Sequence, residues 1–257
     1  MNRNTTSRAI IVAGLIVLLV SFGLISGKRG IAFAPGYPGD GDVFQSGVQW
    51  EPFTQMLAVP KVKQPTAPFD FQCTLPLFDG QQPARFYEVH TKKGTAEIVP
   101  GYQTEIWGYD GTYPGPLFKS RHNEPTIVRF HNDLAETVTI PHLHGGHQPA
   151  QSDGVPTVES QMIPPGEFRD FCYPNVAPIE PSTRQQEMSD YPSTLWYHDH
   201  AHAPGSPKGL TGRNVYHGLA GFHLTRDELE EGLIESGVLP PDEFDIPLAI
   251  QDRALDA

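Results

Sequence analysis

Four of the eleven histidines form two pairs, each with one residue between its members. His142 and His144 lie in TIPHLHGGH, and His198 and His200 lie in LWYHDH. Both pairs end strand-like runs. Because residues i and i+2 of a strand point to the same face, each pair presents two imidazoles side by side, and the residue between them faces away.

Two such strands lying next to each other would bring four nitrogen ligands together. Imidazole binds copper, zinc, iron and nickel, and a site of four histidines without a thiolate favours copper or zinc. A lone histidine is usually a surface or hydrogen-bonded residue, but two pairs at matching strand positions indicate a metal site. His202 continues the spacing, yet it and His217 lie in a glycine- and proline-rich stretch, and we expect both to face solvent. The remaining histidines are interpreted as structural: His90, His122, His131, His147 and His223.

Asp153 lies eleven residues after His142, in the stretch AQSDG. An acidic group beside a metal site could relay protons. An aspartate before glycine more often forms a turn, so on residue type alone the turn is the preferred interpretation.

The sequence predicts that short strands position these residues. The 26 prolines and 25 glycines indicate many turns, and period-two runs recur from Arg85 onward at the spacing of a sandwich or barrel. Only DELEEGLIESG, Asp227 to Gly237, has the acidic first turn and glycine stop of a helix. The predicted strands are RFYEVH, TAEIVPGY, TEIWGY, TIVRFHNDL, TVTIPHLH, EFRDFCYP, TLWYHDH and GLAGFHLT.

We divide the chain into four parts. Residues 1–29 carry an uncharged apolar run, residues 30–84 are an extended segment, residues 85–238 form the strand-rich domain, and residues 239–257 start a second domain. That last part includes a predicted strand, Ile246 to Ile250. Its alternative is a C-terminal strand that returns to the first domain.

The N-terminal run, Ala9 to Ile25, predicts export from the cytoplasm. As a helix it would cover roughly 26 Å, so its length does not decide between a cleaved signal peptide and a retained membrane anchor. The chain has two cysteines, Cys73 and Cys172. In an exported protein they either form a disulfide or stay as two buried thiols, and their spacing does not decide which.

The charge of the chain excludes one class of partner. Its formal net charge is −12, and no stretch is rich in lysine and arginine. Such a chain would repel a phosphate backbone, so we do not expect it to bind nucleic acid.

Several stretches together resemble one family, the multicopper oxidases, and within it the branch of spore-coat laccases, bilirubin oxidases and phenoxazinone synthase. The resemblance runs from Ile106 to Arg253. It rests on IWGYDGTYPGPLF, PTIVRFHNDL, HLHGGHQPAQSDG, TLWYHDHA, NVYHGLAGFHLTRD and EFDIPLAIQDR.

The resemblance implies a cupredoxin-like, Greek-key β-sandwich as the first of several such domains. It also implies that His142 binds a type 2 copper and that His144, His198 and His200 bind a type 3 pair. Asp153 matches an acidic residue that helps deliver protons to oxygen, which reverses the preference for a mere turn. Such a cluster reduces O2 to water with electrons from a separate mononuclear copper.

The sequence differs from the family because it lacks two of the family's histidine motifs. The downstream motifs HxxHxH and HCHxxxHxxxxM are absent, and neither cysteine is flanked by histidine. A type 1 copper site is therefore not encoded in this chain. We expect at most half of the cluster, with the rest supplied by missing C-terminal cupredoxin domains or by a complementing chain.

Three hypotheses follow. The first is the N-terminal part of an extracytoplasmic multicopper oxidase, secreted or membrane-anchored, that uses O2 and a phenolic, pigment or metal-ion substrate and is inactive in isolation. The second is an exported, non-enzymatic module for copper binding or assembly. The third is a zinc hydrolase, whose barrel would require alternating helices and strands.

Overall fold

The computed structural model describes residues 54–75, 83–156, 158–201 and 212–251. Eight strands in this part of the chain confirm the predicted all-β class. The strands are β1 Arg85–Val99, β2 Tyr102–Tyr109, β3 Phe118–Arg121, β4 Thr126–Asn132, β5 Pro141–His144, β6 Phe168–Tyr173, β7 Ser193–Asp199 and β8 Ala220–Arg226.

The strands form two four-stranded sheets, in the orders β2-β1-β4-β6 and β3-β8-β7-β5. Two pairings are parallel, β1 with β4 and β3 with β8, and the other four are antiparallel. Buried residues from both sheets form one largely aromatic core. Its largest fully buried side chains include Tyr87, Tyr109, Phe130, Phe171 and Tyr197.

The number of strands was predicted correctly, but two details were wrong. RFYEVH and TAEIVPGY belong to one strand, because β1 pairs with β4 in its first half and with β2 in its second. Gly94 does not break it: a Cβ there would lie 2.3 Å from the carbonyl oxygen of Gly111, so close approach of the neighbouring turn requires glycine. Strand β3 was missed because four residues show too little of a period-two pattern.

The helices found among the described residues are short. Helix α2, Glu228–Glu235, lies where a helix was predicted, and the side chain of Asp227 caps it by accepting a hydrogen bond from the Glu230 amide. Helix α1, Arg213–His217, was not predicted. A sandwich with two short α-helices contradicts the zinc-hydrolase hypothesis, which needs alternating helices and strands.

The segment Ile246 to Ile250 pairs with no strand in the described part of the chain, which contradicts the alternative of a C-terminal strand returning to the first domain. Its role as the first strand of a second domain stays a prediction. Its residues Leu248 and Ile250 are 64% and 99% exposed. A strand needs a partner for its backbone hydrogen bonds, and the sandwich offers none here. The assignment of 239–257 to a second domain stays a prediction.

Residues 54–75 run along the sandwich with two isolated bridges, Val62 to Leu117 and Thr66 to Phe86. A disulfide joins Cys73 to the buried Cys172 of β6, with a Cα–Cα distance of 5.8 Å. It resolves the alternative that the sequence left open. Within the described ranges no helix is long and apolar enough to span a membrane, and the apolar run Ala9 to Ile25 lies outside them.

Candidate metal centre

Pairing of β5 with β7 brings the two histidine pairs together. His142 lies directly opposite His198, and His144 lies opposite Trp196. Three side chains, His142, His144 and His198, therefore share one face, and their ligand nitrogen atoms lie within 4.8 Å of one another. Three imidazoles at this spacing could hold one metal ion.

His200 lies just past the end of β7, beside this group. Its ring centroid is 5.2 Å from that of His142 and 5.5 Å from that of His198. The backbone N–H of His200 donates to the carbonyl oxygen of Ile140 at 2.8 Å, which ties this end of the chain to the segment entering β5. All four predicted imidazoles are thus neighbours, although His200 is not part of the three-nitrogen group.

Hydrogen bonds select the nitrogen that each of two rings offers. Nδ1 of His198 donates to the carbonyl oxygen of Asp199 at 2.9 Å, and Nδ1 of His142 donates to the carbonyl oxygen of Asp153. Each ring then carries its lone pair on Nε2. Nε2 of His198 is buried and has no hydrogen-bond partner within the described structure, as expected of a ligand atom.

Burial also favours the protonation state that binds metal. Burial is the largest cause of a lowered pKa at His198; the hydrogen bond to Asp199 opposes it and the neighbouring histidines add to it, and together these effects bring the pKa to about 4. His198 is therefore neutral near pH 7. A neutral imidazole needs no deprotonation before it coordinates a metal.

Trp196 packs against two of the imidazoles. Its ring is stacked on His198 at a centroid distance of 4.1 Å and on His144 at 5.1 Å. His144 is itself exposed. Trp196 thus fixes the plane of a ring that the core does not enclose.

Asp153 lies at the edge of the cluster. Its Oδ1 is 3.6 Å from Nδ1 of His142 and accepts a hydrogen bond from Nε2 of Gln148 at 2.7 Å. It also ends a short 3-10 turn, Ala150–Ser152, before Gly154 with φ +76°. The two interpretations of this aspartate are therefore compatible, since the turn is what carries its side chain to His142.

Asp199 plays a part that the sequence did not reveal. It faces away from the imidazoles, as predicted, and is buried where it accepts three hydrogen bonds, from the amides of Ile140 and Ala201 and from Nδ2 of Asn214. Burial raises its pKa to about 6, and these bonds limit the rise. The sequence did contain one signal for this role, namely a carboxylate at a strand position that faces the core.

Among the described residues, the other histidines do not join the cluster. His217 is half-buried and stacked on Trp107 at 4.3 Å, so the prediction that it faces solvent was wrong. His90 and His131 are stacked on each other at 4.4 Å, and His223 is buried in the sandwich. His202 lies outside the described residues.

The family profile described as "Multicopper oxidase" matches residues 90–224, just over half of the chain and including both histidine pairs. The chain belongs to the multicopper oxidase family. Membership of this family implies copper as the metal.

Two curated relatives are longer than this multicopper oxidase chain, which covers only part of the length of each. It is 34% identical to a laccase of Bacillus stratosphericus over 79% of the chain and 38% of the relative. It is 35% identical to a bilirubin oxidase of Albifimbria verrucaria over 84% of the chain and 33% of the relative. The chain therefore spans about a third of the length of the relatives it matches.

A solved structure supports the fold. The multi-copper oxidase from Pediococcus acidilactici superimposes with a TM-score of 0.51 and 25% identity, covering 73% of this chain and 32% of the other. With the two sheets described above, this confirms the predicted cupredoxin-like class.

Proposed function

We propose that this chain is the N-terminal part of a multicopper oxidase that couples one-electron oxidation of a reducing substrate to reduction of O2 to water. It supplies half of the ligands of a trinuclear copper cluster: His142 for the type 2 copper, and His144, His198 and His200 for the type 3 pair. The convergence of two histidine pairs on neighbouring strands is the observation that carries this proposal.

The residues fit copper. Neutral imidazole is a good copper ligand, and the buried, unpartnered Nε2 of His198 together with the hydrogen-bonded Nδ1 of His142 orients two lone pairs. When bound, copper supplies the electron transfer to O2. The chain itself binds the ions, shields one side of the cluster with Trp196 and holds a carboxylate, Asp153, beside His142 as the proton-delivering group.

The disulfide supports the view that the type 1 copper lies elsewhere. It occupies both cysteines of the sequence, so no thiolate remains for a type 1 site. Electron entry and the other half of the cluster then come from C-terminal cupredoxin domains or a complementing chain. A laccase and a bilirubin oxidase among the relatives favour a phenolic or pigment substrate, and a metal ion is the third class.

We place the protein outside the cytoplasm, either secreted or anchored through residues 9–25. Disulfides persist in oxidising compartments, and the uncharged run Ala9 to Ile25 fits an export signal or anchor. We assign residues 85–238 to the first cupredoxin domain and residues 239–257 to the link into a second.

Copper titration of the full chain tests the ligand assignment. We expect His198→Gln to weaken copper binding at least tenfold, because it removes a buried ligand, while His90→Gln, which removes a histidine from the other sheet, leaves binding unchanged. Competition with a chelator of known affinity measures both variants. Equal binding by wild type and His198→Gln would refute the assignment.

The second candidate is a non-enzymatic copper-binding or assembly module, which would use the same four imidazoles. Oxidation of a phenolic dye separates the two. We expect the chain to bind copper but stay inactive alone, and to reduce O2 only with the completing domains. Copper binding without dye oxidation, even with those domains present, would favour the second candidate.

A further inference from the structure

We propose that Asp199 and Asn214 form a buried latch that positions His198 and His200 relative to the segment entering β5. The latch consists of these two side chains and the backbone groups that they bind. This inference rests on the proposed function, because it concerns the alignment of the proposed copper ligands. Both residues act through others and touch no reacting group, so they are positioning residues.

The first observation is the location of Asp199. It lies between two proposed ligands, and its backbone carbonyl accepts the Nδ1–H of His198. Its side chain is 2% exposed and points into the protein. The same residue therefore holds one imidazole by its backbone and ties the strand end to the interior by its carboxylate.

The second observation is what the carboxylate joins. Oδ2 accepts the amide of Ile140 at 2.7 Å, two residues before His142. Oδ1 accepts the amide of Ala201 at 3.0 Å, directly after His200. One side chain thus links both strand ends that carry the cluster. Hydrogen bonds to a charged acceptor are stronger than neutral ones, so the link is stiff.

The third observation is the support that Asn214 gives. Its Nδ2 donates to Oδ1 of Asp199 at 2.8 Å and to the carbonyl oxygen of Val138 at 3.1 Å. Asn214 is 6% exposed and belongs to α1, the helix that precedes β8. Asn214 thus supplies the third hydrogen bond to the buried carboxylate of Asp199. It also adds a second hydrogen bond to the segment before β5. Without it, the carboxylate would be buried with an unfilled acceptor site, which is costly.

The chain offers a matched control in Asn175. It is also 6% exposed, and its Nδ2 also donates two bonds, to the carbonyl oxygen of Glu124 and to Oγ1 of Thr126. These partners belong to the entry of β4, in the other sheet. Its φ of 52° makes replacement by alanine at least as costly to the backbone, so this control is not the milder variant.

The test compares Asn214→Ala with Asn175→Ala in the full chain. Copper affinity is measured by chelator competition, and amide hydrogen exchange is measured on the metal-free protein. In Asn214→Ala we expect exchange at Ile140 and Ala201 to rise at least tenfold. We expect the copper dissociation constant to rise about tenfold, the lower end of the effect of losing a direct partner of a metal ligand, because Asn214 acts through Asp199. In Asn175→Ala we expect both quantities to stay within about threefold of wild type.

Asp199→Asn keeps the side-chain shape but turns one acceptor oxygen into a donor facing another donor, and we expect the same two changes from it. Unfolding midpoints identify variants that have not folded. The latch is refuted if Asn214→Ala and Asn175→Ala weaken copper binding equally, or if exchange at Ile140 and Ala201 does not change. Wild-type chain that binds no copper would instead refute the proposed function, and the exchange measurement would still decide the latch.

Discussion

At the scale of single residues, groups that are not themselves proposed ligands set the tautomer and protonation state of the imidazoles. The carbonyl oxygens of Asp153 and Asp199 fix the tautomers of His142 and His198, and burial keeps His198 neutral. The spacing of the histidines predicted that the two pairs would lie together. It could not predict these partners, because one carbonyl belongs to a residue eleven positions away that reaches His142 only through the 3-10 turn.

Gly154 makes that approach sterically feasible, and this can be tested. A Cβ there would lie 2.3 Å from the carbonyl oxygen of Pro141 and 2.9 Å from Cα of His142, at φ +76°. We expect Gly154→Ala to lower the free energy of unfolding by about 2 to 4 kcal/mol, as left-handed backbone strain adds to overpacking. Urea unfolding measures the change.

Gly166→Ala is the control for Gly154→Ala. Gly166 has nearly the same φ, +80°, but a Cβ there would meet nothing within 4 Å. Its replacement should cost only the backbone strain, about 1 to 2 kcal/mol. If the two variants are equally stable, close packing of the turn against β5 is not what requires glycine at 154.

At the scale of elements, period-two patterns located seven of the eight strands, because alternate burial repeats along any half-buried strand. Strand β3 was missed because its four residues are recognised only by parallel pairing with β8, more than 100 residues later in the sequence. Helix α2 was predictable since its N-cap and acidic first turn are local signals. Helix α1 has only five residues and no side-chain cap, so it left no such signal.

Strand β8 carries a buried histidine that should make stability depend on pH. His223 is 1% exposed, its Nε2 lies 2.7 Å from Oγ of Ser120, and burial lowers its pKa to about 4. Between pH 4 and 6.5 the unfolded chain binds a proton at this residue and the folded chain does not, so stability falls as pH falls. The full effect is about 3 kcal/mol.

The metal-free variant His223→Gln should lose this dependence of stability on pH. Glutamine can still hydrogen-bond Ser120 but does not titrate, so the free energy of unfolding of the variant should decrease less than that of wild type between pH 6.5 and 4. Urea unfolding at several pH values gives both curves, and their difference isolates His223 from other titrating groups. Parallel curves would contradict the assignment.

At the scale of the whole molecule, the disulfide connects residues 99 positions apart and fixes the segment 54–75 to the sandwich. Closing so long a loop restricts the unfolded chain, and we expect reduction to lower the free energy of unfolding by about 4 to 5 kcal/mol. Unfolding in urea with and without a reducing agent measures this.

The double variant Cys73→Ser with Cys172→Ser is the control for reduction, because the reducing agent should not change its stability. If reduction shifts wild type by less than about 1 kcal/mol, the disulfide does not stabilise the fold as proposed.

The sequence alone determined the two histidine pairs, the all-β class and the resemblance that indicated copper, because these depend on short-range spacing and on motifs within single strands. The tertiary structure decided which strand lies beside which. Only the pairing of β5 with β7 sets His142 opposite His198, and only the folded chain joins Cys73 to Cys172 and Asp199 to Asn214. Such contacts depend on the packing of distant segments, which no local pattern encodes.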